Sequence, residues 1–477
     1  MKVVLLAPPF AEIYGNYRGL YRRGFLNPPL SLCYLAAALE QRGHKVQIID
    51  AEAEALSTSA LVARIQTAQP QLVGVTATSV DFAMAAKAIA ALKQALPSTP
   101  LVLGGTHINI FRQEVLENQK ELDFGCVGDG EDFIVELAQA LSSSSGPALS
   151  SIQGLIYRAG GKVVCNPDRA PEPHIDRYAF PARQHLRNAL YRRSAPRVGM
   201  TTATAFMSSR GCPYSCIYCA VKKIYGGCLV RLRSAANVLA ELDVVVKQLG
   251  ITHVSFNDDC LTLNKDRMYE LCQGIQSRGL KFTWEGLSRA DLVDLPLLKA
   301  MKEAGMVRIS YGIESGNPKI LRILEKNETL DEIRAAFRLT REAGIMTRGS
   351  VIIGNPYETR QTVEDTFRFI EGLEGLDQVI INVLQPYPGT KVRDMILAGE
   401  GGSSFSSNPN SYEQLHRFGS SAVKVNDLTP ADLVRLQRKG FRRFYLRPGV
   451  LWRNLRLNGL KPFVQDGVQF CRSLWGW

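Results

Sequence analysis

The sequence predicts an α/β protein with a doubly wound, Rossmann-like sheet, a second β/α domain of six strands, and a mainly helical C-terminal segment. Five alternations of a strand-like apolar run with a helical pattern occupy residues 1–145. Six more strand-like runs alternate with helical patterns over residues 201–395, and a basic segment completes the chain. We therefore predict four segments, namely 1–145, a linker over 146–200, 201–395, and 396–477.

Composition indicates an ordinary globular protein in a reducing, cytoplasmic setting. Of the 477 residues, 45% are hydrophobic and 21% charged. No run approaches the roughly 18–20 apolar residues of a membrane span. The first apolar run ends at Pro8 and Pro9, too early for a signal peptide. The ten cysteines are spread too thinly for a disulfide framework. A net charge of +12 leaves nucleic acid, an anionic membrane, an acidic ligand or a solvated basic face open.

The ends of the predicted strands in residues 1–145 are small and polar. In doubly wound sheets, ligands bind beyond the carboxyl ends of the strands. Small residues there let a large flat ligand approach the backbone, while hydroxyls and amides bond its polar edge. The residues at these ends are Pro8; Thr76, Ala77 and Thr78; Gly104, Gly105, Thr106 and His107; and Gly128, Asp129, Gly130 and Glu131.

Three cysteines with the spacing C-x3-C-x2-C open the second β/α domain. Cys212, Cys216 and Cys219 follow a strand-like run over 204–209. A disulfide would leave one of the three thiols stranded, and structural zinc takes four ligands as two separated pairs. Three thiolates instead leave one iron of a four-iron cluster open to an outside ligand. A redox or zinc knuckle is the alternative.

This spacing resembles the signature of radical S-adenosylmethionine (SAM) enzymes, and Tyr218 fits that signature too. The resemblance implies a 4Fe–4S cluster on the three cysteines, with SAM on the open iron. It also implies a partial (β/α)6 barrel whose strand ends contact SAM. The implied SAM contacts are Asn257 and Asp258 for the amino group or ribose, Ser288 and Arg289 for the carboxylate, Glu314, and Gly354 for adenine. For the charged residues among these contacts, a salt bridge at the mouth of the barrel is the alternative role.

The first domain, placed ahead of that signature, resembles the flavodoxin-like cobalamin-binding domain of many such enzymes. Its strand-end residues are then the implied cobalamin contacts, and a ligand-free Rossmann-like domain is the alternative. The family motif D-x-H-x-x-G is missing, because residues 10–15 contain neither Asp nor His. His107 is a weak candidate for the axial ligand of cobalt, and a contact to the corrin edge or phosphate suits it better.

Outside these motifs, the linker and the C-terminal segment carry two further predictions. The linker contains a hairpin closed by Gly160 and Gly161, and residues 399–410 predict a flexible loop. From Arg435 onward, arginines interleave with aromatic and aliphatic residues. This pattern predicts a cap with its apolar face on the barrel, and an amphipathic element on an anionic membrane is the alternative.

Together the motifs resemble cobalamin-dependent radical SAM enzymes, a family of methyltransferases and anaerobic magnesium-protoporphyrin ester cyclases. The resemblance implies methylation of an unactivated carbon by way of a 5′-deoxyadenosyl radical and methylcobalamin. Oxidative cyclisation or rearrangement, SAM chemistry over a degenerate first domain, and a non-catalytic sensor with a nucleic-acid-binding tail are the alternatives. Expected partners are a small-molecule substrate and a reductase, flavodoxin or ferredoxin as electron donor. We expect no nucleic acid, and contact with a membrane surface stays open.

Overall fold

The computed structural model describes residues 1–10, 26–142, 145–195, 198–410, 415 and 419–458. The chain divides into two compact units. Asn27–Tyr191 and Val221–Arg231 belong to the first, here called the N-terminal unit, together with the opening strand. Arg192–Ala220 and the chain from Leu232 onward belong to the second, called the barrel unit.

The N-terminal unit is built on a seven-stranded sheet in the order β2-β1-β3-β4-β5-β6-β7. The first five strands are parallel, and their Val-, Ile- and Leu-rich runs are buried by helices on both faces. The strands are β1 (Lys2–Ala7), β2 (Lys45–Asp50), β3 (Leu72–Thr76), β4 (Leu101–Gly104), β5 (Phe124–Cys126), β6 (Leu155–Ala159) and β7 (Lys162–Cys165). The hairpin β6–β7, expected in the linker, continues this sheet antiparallel to β5.

The helices of this unit alternate with its strands, as the sequence predicts. They are α1 (Leu30–Glu40), α2 (Thr58–Ala68), α3 (Phe82–Ala95), α4 (Thr106–Phe111), α5 (Gln113–Asn118), α6 (Gly130–Ser142) and α7 (Val221–Ile224). A side-chain cap from Ser57 starts α2. The alternation fixes the strand ends on one edge of the sheet, where β3 and β4 lead into their helices.

The barrel unit contains the six predicted parallel strands, in the order β16-β15-β14-β13-β12-β9, with β8 antiparallel beside β9. The strands are β8 (Arg192–Ala195), β9 (Gly199–Phe206), β12 (His253–Phe256), β13 (Thr283–Ser288), β14 (Met306–Glu314), β15 (Met346–Ile353) and β16 (Gln378–Val383). Two short strands, β10 (Ser209–Arg210) and β11 (Arg231–Leu232), lie outside this sheet.

Helices cover the outside of the barrel sheet. They are α8 (Ala235–Asp243), α9 (Lys265–Ser277), α10 (Leu295–Glu303), α11 (Pro318–Ile323), α12 (Leu330–Glu342), α13 (Arg360–Gly372) and α14 (Lys391–Leu397). The capping box predicted at Thr329 and Glu332 starts α12. Trp284, Phe206 and Phe337 are among the large side chains buried in the core between the two layers.

The C-terminal segment packs on the barrel as a cap. Helix α15 (Pro430–Tyr445) lies against β16, where the Gln437 side chain donates to the Ile381 carbonyl at 2.7 Å and the Tyr445 hydroxyl to the Val379 carbonyl at 2.9 Å. The structure thus favours the cap over the membrane alternative for α15. The guanidinium of Arg443 lies 2.7 Å from the carboxylates of Glu364 and Glu371 on α13.

Two other parts of the C-terminal segment form regular secondary structure. Residues 399–410, expected to form a flexible loop, contain β17 (Ser403–Phe405), which pairs antiparallel with β18 (Val423–Val425). Helix α16 (Pro448–Asn458) follows the cap and leaves Trp452 63% exposed. Among the helices that the structure describes, none is long and apolar enough to cross a membrane.

Candidate active site

The three cysteines of the C-x3-C-x2-C motif line one cavity of about 600 Å³ in the barrel unit. Cys212 and Cys216 are half-buried and Cys219 is exposed, and none of the three forms a disulfide with a described residue. Gly211 allows the loop to turn away from the strand because it adopts a φ of +92°, in the left-handed region. Backbone bonds from Ile217 to the Leu324 carbonyl at 3.1 Å, and from Val392 to the Ile217 carbonyl at 3.0 Å, hold the loop in place.

These residues fit an iron–sulfur cluster better than a single metal ion. Within the described ranges, no group of three or more His, Cys, Asp or Glu side chains is arranged to hold one ion. A four-iron cluster binds each thiolate to a different iron, so its ligands need to face a shared space and not a common centre. Cys212, Cys216 and Cys219 meet that requirement, since all three face the cavity.

A buried group of charges lies beside the cysteine loop. Glu314 ends β14 with a φ of +62°, and the Lys326 ammonium lies 3.7 Å from its carboxylate. The same ammonium lies 2.9 Å from the carboxylate of Glu328 and donates to the Gly312 carbonyl at 2.5 Å. Burial raises the pKa of Glu314, and the Lys326 charge and a hydrogen bond with Tyr218 oppose that shift. Glu314, Lys326 and Tyr218 all line the cavity.

Arg289 lines the cavity but is already held by protein groups. Its guanidinium makes two bonds of 2.9 Å to the Asp291 carboxylate and donates to the Lys326 carbonyl at 2.9 Å. It also lies 3.8 Å above the ring of Tyr214, in the cysteine loop. The Arg289 guanidinium is therefore fixed in orientation. Its contact with the SAM carboxylate stays a prediction. Ser288 lines the same wall and hydrogen-bonds with Thr262.

The polar residues after β12 divide into two roles. Asn257 and Asp259 line the cavity, and Asp259 accepts a hydrogen bond from the Gly211 amide at 3.1 Å. Asp258 is buried and accepts from the Ser208 amide at 2.7 Å and from the Ser209 hydroxyl at 2.8 Å. It therefore braces the chain that leads into the cysteine motif. Burial raises the pKa of Asp259 to about 6.

Gly354, expected beside adenine, lies close to the cap. A Cβ at this position would meet the side chain of Leu433 on α15 at 3.1 Å, and its φ of +92° also favours glycine. Its amide donates to the buried carboxylate of Glu358 at 2.5 Å. The structure thus gives Gly354 a packing reason besides the predicted ligand contact.

In the N-terminal unit, the ends of β3 and β4 meet backbone to backbone. The His107 amide donates to the Ala77 carbonyl at 3.2 Å, and the Ala77 amide to the Gly104 carbonyl at 3.1 Å. A Cβ on Gly105 would lie 2.5 Å from the Ala77 carbonyl oxygen, so only glycine fits there. Thr76 and Thr106 are half-buried and Thr78 is exposed beside this contact. The glycines therefore expose backbone at this edge beside the threonine hydroxyls, which fits a flat ligand with a polar rim.

The end of β5 joins the same edge. The exposed Gly128 adopts a φ of +93° and donates its amide to the Asn109 side chain at 2.9 Å. Asp129 forms an ion pair with Arg231, and Glu131 is buried in the first turn of α6, which begins at Gly130. Pro8 is buried after β1. Of the loop 10–15 that lacks the family's histidine motif, residues 11–15 lie outside the described residues.

His107 is enclosed by aromatic side chains. Its ring stacks on Phe82 with centroids 3.7 Å apart and lies 4.6 Å from Phe111, and only 2% of the residue is exposed. Its Nδ1 lies 3.3 Å from the Ser79 hydroxyl. Burial lowers the pKa of His107 to about 3, so the imidazole is neutral. This environment is that of a packed histidine that supports the strand ends.

Sequence reasoning did not select as site residues Asp259 and Lys326, which line the cavity, or Glu328, which pairs with Lys326. Asp259 had a readable signal, since it directly follows the selected Asn257 and Asp258. Lys326 and Glu328 had none, because they follow α11 in a loop and meet the strand-end charges only in the folded chain.

Two protein-family models match the chain in the order of its two units. The B12 binding domain matches residues 20–138, and the radical SAM superfamily matches residues 206–370. The first match covers the strand ends around Gly105 and Gly128, and the second begins just before Cys212.

Relatives that align with nearly the whole of this chain agree with these two matches. An uncharacterized methyltransferase of Pyrococcus horikoshii is 31% identical over 455 residues, which are 95% of each chain. The chain therefore belongs to the radical SAM enzymes that carry a B12-binding domain. The anaerobic magnesium-protoporphyrin IX monomethyl ester cyclase of Cereibacter sphaeroides is 26% identical over 98% of this chain and 76% of that protein.

A solved structure supports the fold. The radical SAM methyltransferase TsrM from Kitasatospora setae, with cobalamin and a 4Fe–4S cluster bound, superposes with a TM-score of 0.72 at 19% identity, over 94% of this chain and 89% of that one. The predicted fold class and family are confirmed, and 4Fe–4S cluster, SAM and cobalamin are the cofactors of that family. Enzymes of this kind need a small-molecule substrate and an electron donor.

Proposed function

We propose that this protein is a cobalamin-dependent radical SAM methyltransferase that acts on an unactivated carbon. The observation that carries the proposal is the placement of Cys212, Cys216 and Cys219 in the wall of one cavity in the barrel. When bound, the cluster and SAM supply a 5′-deoxyadenosyl radical and cobalamin supplies a methyl group.

The chain's own residues bind and shield these groups. The three cysteines hold the cluster, and Asn257, Asp259 and Ser288 offer hydrogen-bonding groups to SAM from neighbouring strand ends. Lys326 and Arg289 keep cationic charge beside the anionic carboxylates and the cluster loop. The strand ends around Gly105 and Gly128 leave exposed backbone for the corrin in the N-terminal unit.

Methyl transfer is supported by relatives that are named as methyltransferases. Besides the Pyrococcus protein, a cytidylyl-2-hydroxyethylphosphonate methyltransferase of Streptomyces wedmorensis is 25% identical over 69% of this chain. Oxidative cyclisation is the second candidate, because the cyclase of Cereibacter sphaeroides aligns with 98% of the chain. The proposed setting is the cytoplasm, with a reductase, flavodoxin or ferredoxin as electron donor.

Product analysis separates these reactions. The protein is reconstituted anaerobically with iron, sulfide and cobalamin, reduced, and mixed with SAM labelled with deuterium in the methyl group. A methyltransferase yields 5′-deoxyadenosine and at least one equivalent of S-adenosylhomocysteine per bound cobalamin. A cyclase yields 5′-deoxyadenosine without S-adenosylhomocysteine. Formation of neither product, with the cluster and SAM bound, contradicts both assignments and favours a sensor.

A further inference from the structure

The interior of the barrel contains a cluster of arginines around one glutamate. Glu285, Arg308 and Arg348 are each the third residue of their strands, β13, β14 and β15. Arg193 reaches them from the edge strand β8. Arg308 forms an ion pair with the Glu285 carboxylate, and the Arg193 guanidinium lies 2.5 Å from the same carboxylate.

Positive charge exceeds negative charge in this cluster. The guanidinium groups of Arg193, Arg308 and Arg348 all act on the Glu285 carboxylate, and the His253 ring lies 4.0 Å from that carboxylate as well. The side chains of Arg193, Arg308 and Glu285 are only 11%, 6% and 9% exposed. Structural ion pairs in a barrel interior are expected to match in number, because an uncompensated buried charge is costly. Among the residues that the structure describes, Arg308 and Arg348 together exceed the Glu285 carboxylate by one positive charge.

Burial and neighbouring charge both act against Arg348. Among the described residues, its Nε and Nη2 donate to the Gln378 side chain alone, by long bonds of 3.4 and 3.3 Å. Burial, followed by the Arg308 charge, lowers the pKa of Arg348 to about 9, and Arg193 acts in the same direction. Glu285 is the acidic group that opposes the shift, and the Tyr445 hydroxyl acts with it. A bound anion would offset this repulsion.

The cluster opens into the cavity that the cysteines line. Arg193, Glu285 and Arg348 are lining residues, together with the hydroxyl and amide groups of Ser255, Ser310, Ser350 and Asn382. The Oδ1 atom of Asn382 and the Nε atom of Arg308 are buried and make no hydrogen bond with the described residues. The cavity thus runs from the cysteine loop, at the carboxyl ends of the strands, toward charged groups near their amino ends.

We propose that this arginine cluster binds an anionic oxygen group of the substrate, a carboxylate or a phosphoryl group. Arg348 donates to the anion, and the hydroxyls of Ser310 and Ser350 line its path from the cavity. The inference rests on the proposed function in that the ligand is the substrate of the radical reaction. It narrows the substrate class to molecules whose reactive carbon stays near the cysteine loop while an anionic end reaches into the barrel.

Anion titration of four proteins tests this site. Inorganic phosphate and succinate are titrated calorimetrically into the reconstituted wild type at constant ionic strength. Arg348→Gln should weaken the binding about 10- to 100-fold, because it removes a charge-assisted pair of hydrogen bonds. Glu285→Gln should tighten it, because it removes the competing carboxylate. Arg341→Gln, which removes an exposed arginine from α12, is the control and should bind as the wild type.

Opposite signs for Arg348→Gln and Glu285→Gln exclude general destabilisation as the cause. No saturable binding of either anion by the wild type overturns the inference, as does equal binding by wild type and Arg348→Gln. Displacement of the anion by SAM also overturns it, because the cluster would then belong to the SAM site. SAM cleavage is measured on the same preparations. Cleavage without anion binding refutes only the anion site, whereas anion binding without cleavage refutes only the proposed function.

Discussion

The Lys326 ammonium lies 2.9 Å from the Glu328 carboxylate, in the wall of the cavity that the three cysteines line. Both side chains are almost completely buried. The same ammonium is 3.7 Å from the carboxylate of Glu314, so one cation serves two carboxylates. Because the loop that carries Lys326 follows Leu324, whose carbonyl binds the Ile217 amide, these charges are coupled to the cysteine loop.

Replacing Lys326 should destabilise the barrel strongly. Lys326→Met removes the cation beside buried Glu314 and leaves Glu328 with Arg289, 3.6 Å away; leaving a buried carboxylate without its cation typically costs about 3–5 kcal/mol. Lys391→Met is the matched control, because Lys391 forms an exposed pair with Glu325, and exposed ion pairs contribute little to stability. Urea unfolding under anaerobic conditions measures both. Equal losses in the two variants would contradict the assigned role of Lys326.

Glu358 should make stability depend on pH. Burial raises the pKa of Glu358 to about 7, and its bonds from the Asn355 and Gly354 amides oppose the shift. The folded state therefore holds this proton more tightly than the unfolded state, whose pKa is near 4.5. The associated stability is present below pH 4.5 and is lost as the pH rises through 7.

Glu358→Gln tests this dependence, because glutamine keeps the shape and accepts the same amides. The free energy of unfolding of the wild type, relative to the variant, should fall by on the order of 3 kcal/mol between pH 4.5 and 8. Urea unfolding at several pH values measures this difference. Parallel curves for the two proteins would show that Glu358 does not titrate in this range.

His107 should have the opposite pH dependence. Burial lowers its pKa to about 3, so the stability from the neutral imidazole is present above 6.5 and is lost as the pH falls. His107→Phe keeps an aromatic ring between Phe82 and Phe111 and removes the titration. Below about pH 6, the wild type should lose about 1.4 kcal/mol per pH unit relative to this variant. A variant with the same acid sensitivity would contradict the enclosed position of His107.

The cap should be anchored by Arg443. Its guanidinium bonds to Glu364 and Glu371, both at 2.7 Å. Arg443→Gln breaks this network and should raise the amide exchange of α15, with a loss of about 1–2 kcal/mol in local stability. Arg442→Gln, which removes an equal charge from the adjacent position, should change exchange little. Unchanged protection in Arg443→Gln would show that the Arg443 ion pairs do not anchor the cap.

Local patterns were sufficient to predict the fold but only part of the site. The β/α alternation and the cysteine spacing are encoded in contiguous residues, and both led to the correct family. Which way a side chain points at the end of a strand is not encoded in contiguous residues. Asp258 and Asp259 are adjacent, yet Asp258 braces the chain and Asp259 faces the cavity. The hairpin β6–β7 was recognised, but its pairing with β5 depends on long-range packing.

Contacts between charged residues on different strands could not be predicted from local sequence patterns either. Glu285 and Arg348 are 63 positions apart, and each is the one charged residue of its strand. Only the barrel brings them to one cavity. For the same reason, the two carboxylates beside Lys326 could not be assigned to it from the sequence.

Reductive cleavage of SAM tests the central claim most directly. Reconstituted wild type, reduced anaerobically, should convert SAM to 5′-deoxyadenosine, as measured by liquid chromatography and mass spectrometry. Alanine at Cys212, Cys216 or Cys219 should abolish the product, whereas Cys228→Ala, at an exposed cysteine outside the motif, should preserve it. Absence of 5′-deoxyadenosine from wild type with an intact cluster and bound SAM, or equal cleavage by a motif variant, would contradict the account.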